Sequence, residues 1–274
     1  MLETYLAKIK LPDPASHKGQ NGKLLVIGGS QLFHASIFWA ADVASRIVDM
    51  VHFASPENEN NDLVRYQLKQ GFWQGIVVDY SEVEKYIIED DCVLIGPGMD
   101  RSDQTTDIVN AWLAKFPAKK WVIDGGALQM VDPNLLTSTC IITPHQRELE
   151  FLSAHHQQTS VEDINPATVE QTMTWLVSRG VTILAKGQVD QIYNGTVRQE
   201  VAGGNAGMTK GGTGDVLAGL VAALYCQNDA ITSAIVASYV NKKAGEALWQ
   251  TVGPYFNAQD LVEEVPRVLW TVLK

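Results

Sequence analysis

The chain has 274 residues, 46% of them hydrophobic and 19% charged, which excludes a disordered or fibrous polymer and leaves material for a sizeable core. Its 21 Lys and Arg face 31 Asp and Glu, a formal net charge of −10. No broad basic surface remains to neutralise nucleic-acid phosphates or anionic lipid, so neither nucleic acid nor membrane is an expected partner. Any bound phosphate must be held locally, by backbone N–H groups, helix N-termini or single lysines.

The N-terminal MLETYLAKIKLPDP lacks the cationic start and apolar core of a leader, and no run of about 18 apolar residues occurs, which makes the cytoplasm the expected compartment. Apolar or β-branched runs follow at 23–27, 50–54, 76–79, 92–95, 121–124, 140–143 and 181–185 and read as buried strands. Helical spacing lies between them at 35–48, 62–69, 103–115, 147–155 and 166–179. This alternation predicts an α/β protein with a mostly parallel sheet covered by helices on both faces, an α/β/α sandwich. Residues 190–201 read as a hairpin around Asn194-Gly195 at the sheet edge, and 215–227, 230–250 and 258–272 as three successive helices. No repeat or linker divides the chain, so one domain over 1–274 is expected. Cys92, Cys140 and Cys226 sit in apolar surroundings without a CxxC pair, as buried thiols do.

In open parallel sheets, ligands bind outside the carboxyl ends of the strands. Here those ends are Gly28-Gly29-Ser30, Gly96-Pro97-Gly98, Asp124-Gly125-Gly126, Thr143-Pro144-His145 and Lys186-Gly187, which would form one rim. The sharpest signal is GGNAGMTKGGTGD at 203–215, with six of the 22 glycines within twelve positions before an apolar helix. Glycine lets a polyanion approach the backbone, and the helix N-terminus adds unpaired donors and partial positive charge, which together make an anion hole. The loop is neither a Walker A sequence nor a GxGxxG turn. Asp215 puts a carboxylate beside the phosphate position, suited to taking a proton from an attacking hydroxyl; the plainer reading is a helix cap.

Other positions admit two readings each. Lys186 either offers its ammonium to a terminal phosphate or is a solvated surface lysine. His145 in TPHQRE either donates to substrate, with Glu148 helping to hold Mg²⁺, or forms a capping box with Glu148. Asp124 either binds a hydroxyl or magnesium or shapes a turn before glycine. GGSQL at 28–32 lacks the second glycine of a hydrolase elbow, so Ser30 is placed in a substrate or phosphate turn. His17, His155 and His156 lack ligand spacing, and no transition-metal site is read.

Taken together, HKGQNGKLLVIGGS at 17–30, VLIGPGMD at 93–100, WVIDGGALQ at 121–129, IITPHQRELEFL at 141–152, ILAKGQ at 183–188 and NAGMTKGGTGDVLAGLVAAL at 205–224 resemble the NAD(P)H-hydrate dehydratase family of the ribokinase-like superfamily. The resemblance implies dehydration of (6S)-NADHX or (6S)-NADPHX coupled to hydrolysis of ADP to AMP, with ATP used by some members. By position, it places substrate contacts on Ser36, Gly98, His145 and Asp215, and adenine-nucleotide contacts on Lys186, Gly187, Gln188, Val189, Asp190 and Gly214. Amides of Gly211, Gly212, Thr213 and Gly214 would then hold the developing charge while Asp215 activates the ring hydroxyl. It further implies Mg²⁺, a homotetramer, and, at this length, a dehydratase without a fused epimerase domain. An apolar face within 230–250 would serve for assembly or for core.

The chain departs from the family pattern at Ser36, at Arg46-Ile47-Val48-Asp49-Met50, at Arg147, at DGGAL, and at Asn241-Lys242-Lys243-Ala244-Gly245-Glu246, departures expected to touch the substrate side more than the phosphate loop. Two rivals stand beside this reading. A ribokinase-like small-molecule kinase, of hydroxyethylthiazole or sugar kinase type, would use the same base and hole and leave a stable phosphorylated product. A binding protein without chemistry would not need a carboxylate facing a phosphate.

Overall fold

The computed structural model describes residues 2–70 and 75–274. After a short helix α1 (Leu2–Leu6), strand β1 (Lys23–Ile27) leads through α2 (His34–Ala44) to β2 (Met50–Ala54), and α3 (Asn58–Gln70) precedes β3 (Gly75–Val77). Helix α4 (Val83–Glu89) leads to β4 (Cys92–Ile95), α5 (Asp103–Lys115) to β5 (Lys120–Ile123), and α6 (Gly125–Met130) to β6 (Cys140–Ile142). Two helices, α7 (Gln146–Gln157) and α8 (Pro166–Ser178), precede β7 (Thr182–Ala185). The hairpin β8 (Val189–Tyr193) and β9 (Arg198–Ala202) follows, then α9 (Thr213–Gln227), α10 (Ala230–Val252) and α11 (Ala258–Leu273).

The described strands form one sheet in the order β3-β2-β1-β4-β5-β6-β7-β8-β9, parallel from β3 to β7 and antiparallel at the hairpin. The strands are continuously apolar because both faces are covered. Alternate residues point to opposite faces, so Leu24 and Val26 of β1 enter the core beneath α2, α9, α10 and α11, while Leu25 and Ile27 enter the core beneath α5 to α8. The expected α/β/α sandwich is thus the observed fold. The chain order reverses where β1 lies between β2 and β4, so the carboxyl ends of β1, β4 and the strands beyond open onto one crevice.

The helix expected over 35–48 ends at Ala44, and the strand expected over 76–79 is Gly75–Val77. Helices α1, α4 and α6 escape the periodicity because they are one or two turns long, and α6 starts on Gly125-Gly126, a pair that reads as a turn. Helix α10 is largely core: its residues from Thr232 to Gly245 are mostly buried against α9 and α11, and the large apolar side chains left exposed on it, Trp249 and Val252, lie at its end. The cysteines are all buried and free.

Candidate active site

Five strand ends meet as the rim expected of them, tied by hydrogen bonds that follow the sheet order. Gly29 N–H donates to Pro97 O at 2.8 Å, and Gly126 N–H to Gly96 O at 3.2 Å. Thr143 Oγ1 donates to Asp124 Oδ1 at 2.7 Å, and Lys186 N–H to Pro144 O at 2.7 Å. The packing leaves no space for side chains at the turns: a Cβ on Gly98 would lie 2.2 Å from Phe33 O and 3.0 Å from Ser36 Cβ. That contact, at a φ of +73°, seats the loop after β4 against the first turn of α2, where Ser36 stands.

Lys186 is not a surface lysine. Its side chain is 17% exposed, and its Nζ lies 2.7 Å from Asp124 Oδ1 and 3.6 Å from Glu148 Oε2. Burial lowers the proton affinity of the ammonium, but Asp124, Glu148 and Asp215 outweigh it and hold the pKa above the ordinary lysine value. Asp124, 4% exposed at its side chain, makes no helix-capping bond; its Oδ1 accepts from both Lys186 and Thr143. Its carboxylate thus belongs to the buried polar cluster of the rim.

Asp215 is not the helix cap. The N-cap of α9 is Gly212, in left-handed backbone with φ +95°, where a Cβ would also strike the Trp39 ring at 2.4 Å. Asp215 stands in the first turn, and α9 has no side-chain cap; Thr213 N–H donates to Lys210 O at 3.4 Å, which leaves the Gly214 and Asp215 amides to an anion. A Cβ on Gly214 would meet only Lys186 Nζ, at 3.7 Å, so that backbone faces open space beside the ammonium, while a Cβ on Gly211 would meet nothing within 4 Å. Burial raises the Asp215 pKa to about 7, reinforced by Asp124 and opposed by a hydrogen bond from Ser36 and by Lys186. Four groups singled out from the sequence, Ser36, Lys186, Gly214 and Asp215, therefore converge, with Gly98 packed behind Ser36.

His145 and Glu148 form the capping box. Glu148 N–H donates to His145 Nδ1 at 3.2 Å, and His145 N–H to Glu148 Oε2 at 2.8 Å, at the start of α7. The box does more than cap, because it delivers the buried Glu148 to Lys186 while leaving the His145 ring half exposed at the rim. Burial raises the Glu148 pKa, Lys186 lowers it and Asp124 raises it again.

A cavity of about 630 Å³ opens beside this cluster, lined by Lys186, Gly187, Gln188, Gly203–Ala206, Met208, Thr213, Gly214, Asn241 and Lys242 among others. Val189 is 40% exposed on β8 and lies outside the lining, as do Gly211 and Gly212. Asp190 reaches the cavity, but its carboxylate accepts from Gly187 N–H at 2.9 Å and Ser238 Oγ at 2.7 Å and pairs with Lys242 Nζ at 3.2 Å, so it shapes the 186–190 turn. Thr213 Oγ1 is likewise spent on Met208 O and Lys210 O, and Lys210 Nζ on the carbonyls of Pro254 and Phe256.

Of the departures from the family pattern, Ser36 and DGGAL lie at the rim, and the others are spread over the chain. Asp49 accepts from Gly19 and Asn21 at the opposite end of the sheet, ahead of β2. Arg147 pairs with Glu150 at 2.8 Å and lies over the Phe151 ring on the outside of α7. Asn241 and Lys242 line the cavity beside the glycine loop, not the rim around Ser36. Thr143, named from the sequence only as part of a strand end, and Gln129, not singled out, whose Nε2 is 3.4 Å from Glu148 Oε1, complete the buried polar cluster. The adjacency of β5 and β6 brings them in, which no local motif signals. Among the described residues no group of three His, Cys, Asp or Glu side chains is arranged to hold a metal.

A family model described as NAD(P)H-hydrate dehydratase matches residues 24–267. The chain is 35% identical over 272 residues to the bifunctional NAD(P)H-hydrate repair enzyme Nnr of Methanocaldococcus jannaschii, covering 96% of this chain and 51% of that protein. It thus spans about half the length of the first curated relatives it matches. It is 29% identical over 269 residues to the ADP-dependent (S)-NAD(P)H-hydrate dehydratase of Cenarchaeum symbiosum, covering 93% of this chain and 90% of that one. In fold it is similar to the ADP/ATP-dependent NAD(P)H-hydrate dehydratase of Bacillus subtilis co-crystallized with ATP/Mg²⁺, with a TM-score of 0.77 at 22% identity over 100% of this chain and 98% of that one.

Proposed function

The chain belongs to the NAD(P)H-hydrate dehydratase family, and we propose on that basis that it repairs hydrated nicotinamide nucleotides, converting (6S)-NADHX or (6S)-NADPHX to NADH or NADPH while ADP is split to AMP and phosphate, with ATP as the other nucleotide it would accept. The observation that carries this reading is the convergence of one carboxylate, Asp215, and one ammonium, Lys186, at the uncapped start of α9 beside a nucleotide-sized cavity.

The chemistry follows from those positions. Asp215 takes the proton of the ring hydroxyl as its oxygen attacks the terminal phosphorus of the nucleotide, and AMP leaves. Lys186 and the amides of the 211–214 turn hold the charge that spreads over the phosphoryl oxygens. The phosphate ester then departs, expelled by the ring-nitrogen electron pair; the neighbouring ring carbon gives up a proton, and the dihydronicotinamide is restored without redox change. The Ser36 hydroxyl lowers the Asp215 pKa, Gly98 packs against Ser36, and the half-exposed His145 stands at the rim where the nicotinamide amide or phosphate would reach it.

Among the described residues no group of side chains is arranged to hold a metal, so magnesium would enter with the nucleotide, held chiefly by its phosphates and water, and Glu148 is the carboxylate we propose to meet that water shell. When bound, magnesium would neutralise phosphate charge. No helix among the described residues is long and apolar enough to cross a membrane, and a cytoplasmic location is proposed from the family reading alone. A homotetramer is the assembly we propose from the family.

Prepared NADHX and NADPHX incubated with Mg²⁺ and either ADP or ATP provide the test, followed by recovery of dihydronicotinamide absorbance and phosphate release. Recovery with the native chain and not with Asp215→Ala is the expected result. Absence of recovery, with a stable phosphorylated product from a small hydroxylated acceptor, would transfer the chain to the ribokinase-like kinases.

A further inference from the structure

The two rim segments that carry Gly98 and His145 each bear an exposed arginine shortly afterwards, Arg101 between β4 and α5 and Arg147 in the first turn of α7. Strand β5 lies between β4 and β6, yet the two side chains converge. The Arg101 guanidinium lies over the Phe151 ring, 5.0 Å from its centroid, and the Arg147 guanidinium lies over the same ring at 5.1 Å. Phe151 stands one turn beyond Arg147 on α7, so the helix presents the ring to its own arginine and Arg101 reaches it from the neighbouring loop.

Contact with an aromatic ring restrains a long arginine side chain while leaving N–H groups at the guanidinium edge for other partners. Arg147 gives Nη1 to Glu150 Oε2 at 2.8 Å, and Glu162 acts on it from further off. Arg101 makes no ion pair among the described residues. Its neighbour Asp100 is turned to the start of α5, where it accepts from Ser102 Oγ at 2.6 Å and Thr105 Oγ1 at 3.0 Å. In a chain of net charge −10, two arginines drawn to one ring at the rim make a local anion site.

Resting on the repair reading above, we propose that Arg101 and Arg147 are specificity-determining residues that bind the 2′-phosphate of the dinucleotide and so favour NADPHX over NADHX. The co-substrate nucleotide takes the cavity beside β7 to β9, which leaves the dinucleotide tail the other way out, across the ends of β4 to β6 where the arginines stand. A phosphomonoester offers three acceptor oxygens and close to two charges to the two guanidinium forks, and the ribose hydroxyl that replaces it in NADHX offers no charge.

The test is the ratio of kcat/KM for NADPHX to that for NADHX, measured with Mg²⁺ and ADP or ATP. It is taken for the native chain, Arg101→Gln, Arg147→Gln, the two combined, and Arg101→Lys combined with Arg147→Lys. The native chain is expected to favour NADPHX by about tenfold, with the difference carried by KM. Each glutamine should lower the ratio, and both together should bring it close to one. The double lysine variant keeps the charge without the fork and should retain part of the preference. Raising the ionic strength should lower the native ratio. A native ratio near one, or a ratio that the double glutamine variant leaves unchanged through equal loss on both substrates or none, would overturn the proposal while leaving the repair reading intact. Failure of the native chain to turn over either dinucleotide would overturn it together with that reading. Thermal melts of each variant establish that it is folded, and the native ratio needs no variant at all.

Discussion

One carboxylate oxygen, Asp124 Oδ1, accepts from Lys186 Nζ at 2.7 Å and from Thr143 Oγ1 at 2.7 Å, joining three neighbouring strand ends through a single buried atom. The ammonium so held is the cation of the candidate active site, and Asp124 also raises the proton affinity of Asp215 from across the cluster. Structure and reactivity are therefore coupled through this pair.

Because Asp215 must be ionised to accept the hydroxyl proton, and its pKa is raised to about 7, kcat/KM should fall as pH drops through about 7 and level off above it. A pH–rate profile between pH 5 and 9 checks this, with the lower limb expected near the Asp215 value. A limb in the ordinary carboxylate range would remove Asp215 from the role of base.

Two substitutions should move that limb in opposite directions. Asp124 raises the Asp215 pKa, so Asp124→Asn should shift the limb to lower pH. The Ser36 hydroxyl lowers it, so Ser36→Ala should shift the limb upward. Profiles of the two variants that move together would contradict the assigned contacts.

Loss of Lys186 strands two buried carboxylates. Lys186→Met is expected to destabilise the fold by about 3 kcal/mol, as breaking a buried pair does. Adding Asp124→Asn should recover part of the loss, because neutral Asn leaves one fewer uncompensated charge. Urea unfolding of the single and double variants measures the coupling, and simple additivity would argue against it.

The native fold holds Asp215 with a pKa of about 7 against 3.8 in the unfolded chain, so the native state binds the proton more tightly. Its contribution to stability is complete below pH 3.8 and is lost as pH rises through about 7. Asp215→Asn should consequently stabilise the chain at pH 8, by about 2 kcal/mol, and have little effect near pH 4. Thermal melts at the two pH values decide it; equal effects at both would deny the burial penalty. The same variant should lose turnover by a factor of about 10² to 10⁴.

Much of the sheet was legible because parallel strands buried on both faces must be apolar throughout, as Leu24–Ile27, Cys92–Ile95 and Trp121–Ile123 are. The glycine loop and Asp215 were legible for a chemical reason: close approach of a polyanion requires missing side chains in sequence, and that leaves a local record. What escaped lay in relationships between elements. Lys186 at the end of β7 reads equally as a solvated lysine until β5 and β6 bring Asp124 and Glu148 against it. Asn241 and Lys242 read as departures near the substrate, yet α10 packs them along the cavity beside Gly203.

Sequence by itself determined the alternation of strands and helices, the crevice at the strand ends and the residue types that could act there, since periodicity, turn chemistry and glycine clustering are local properties. Tertiary structure alone decided which charges face one another. Coulomb and desolvation energies depend on distance and burial, and the pairing of Lys186 with Asp124, the raised pKa of Asp215 and the meeting of Arg101 and Arg147 over Phe151 arise only when segments remote in the chain are packed together.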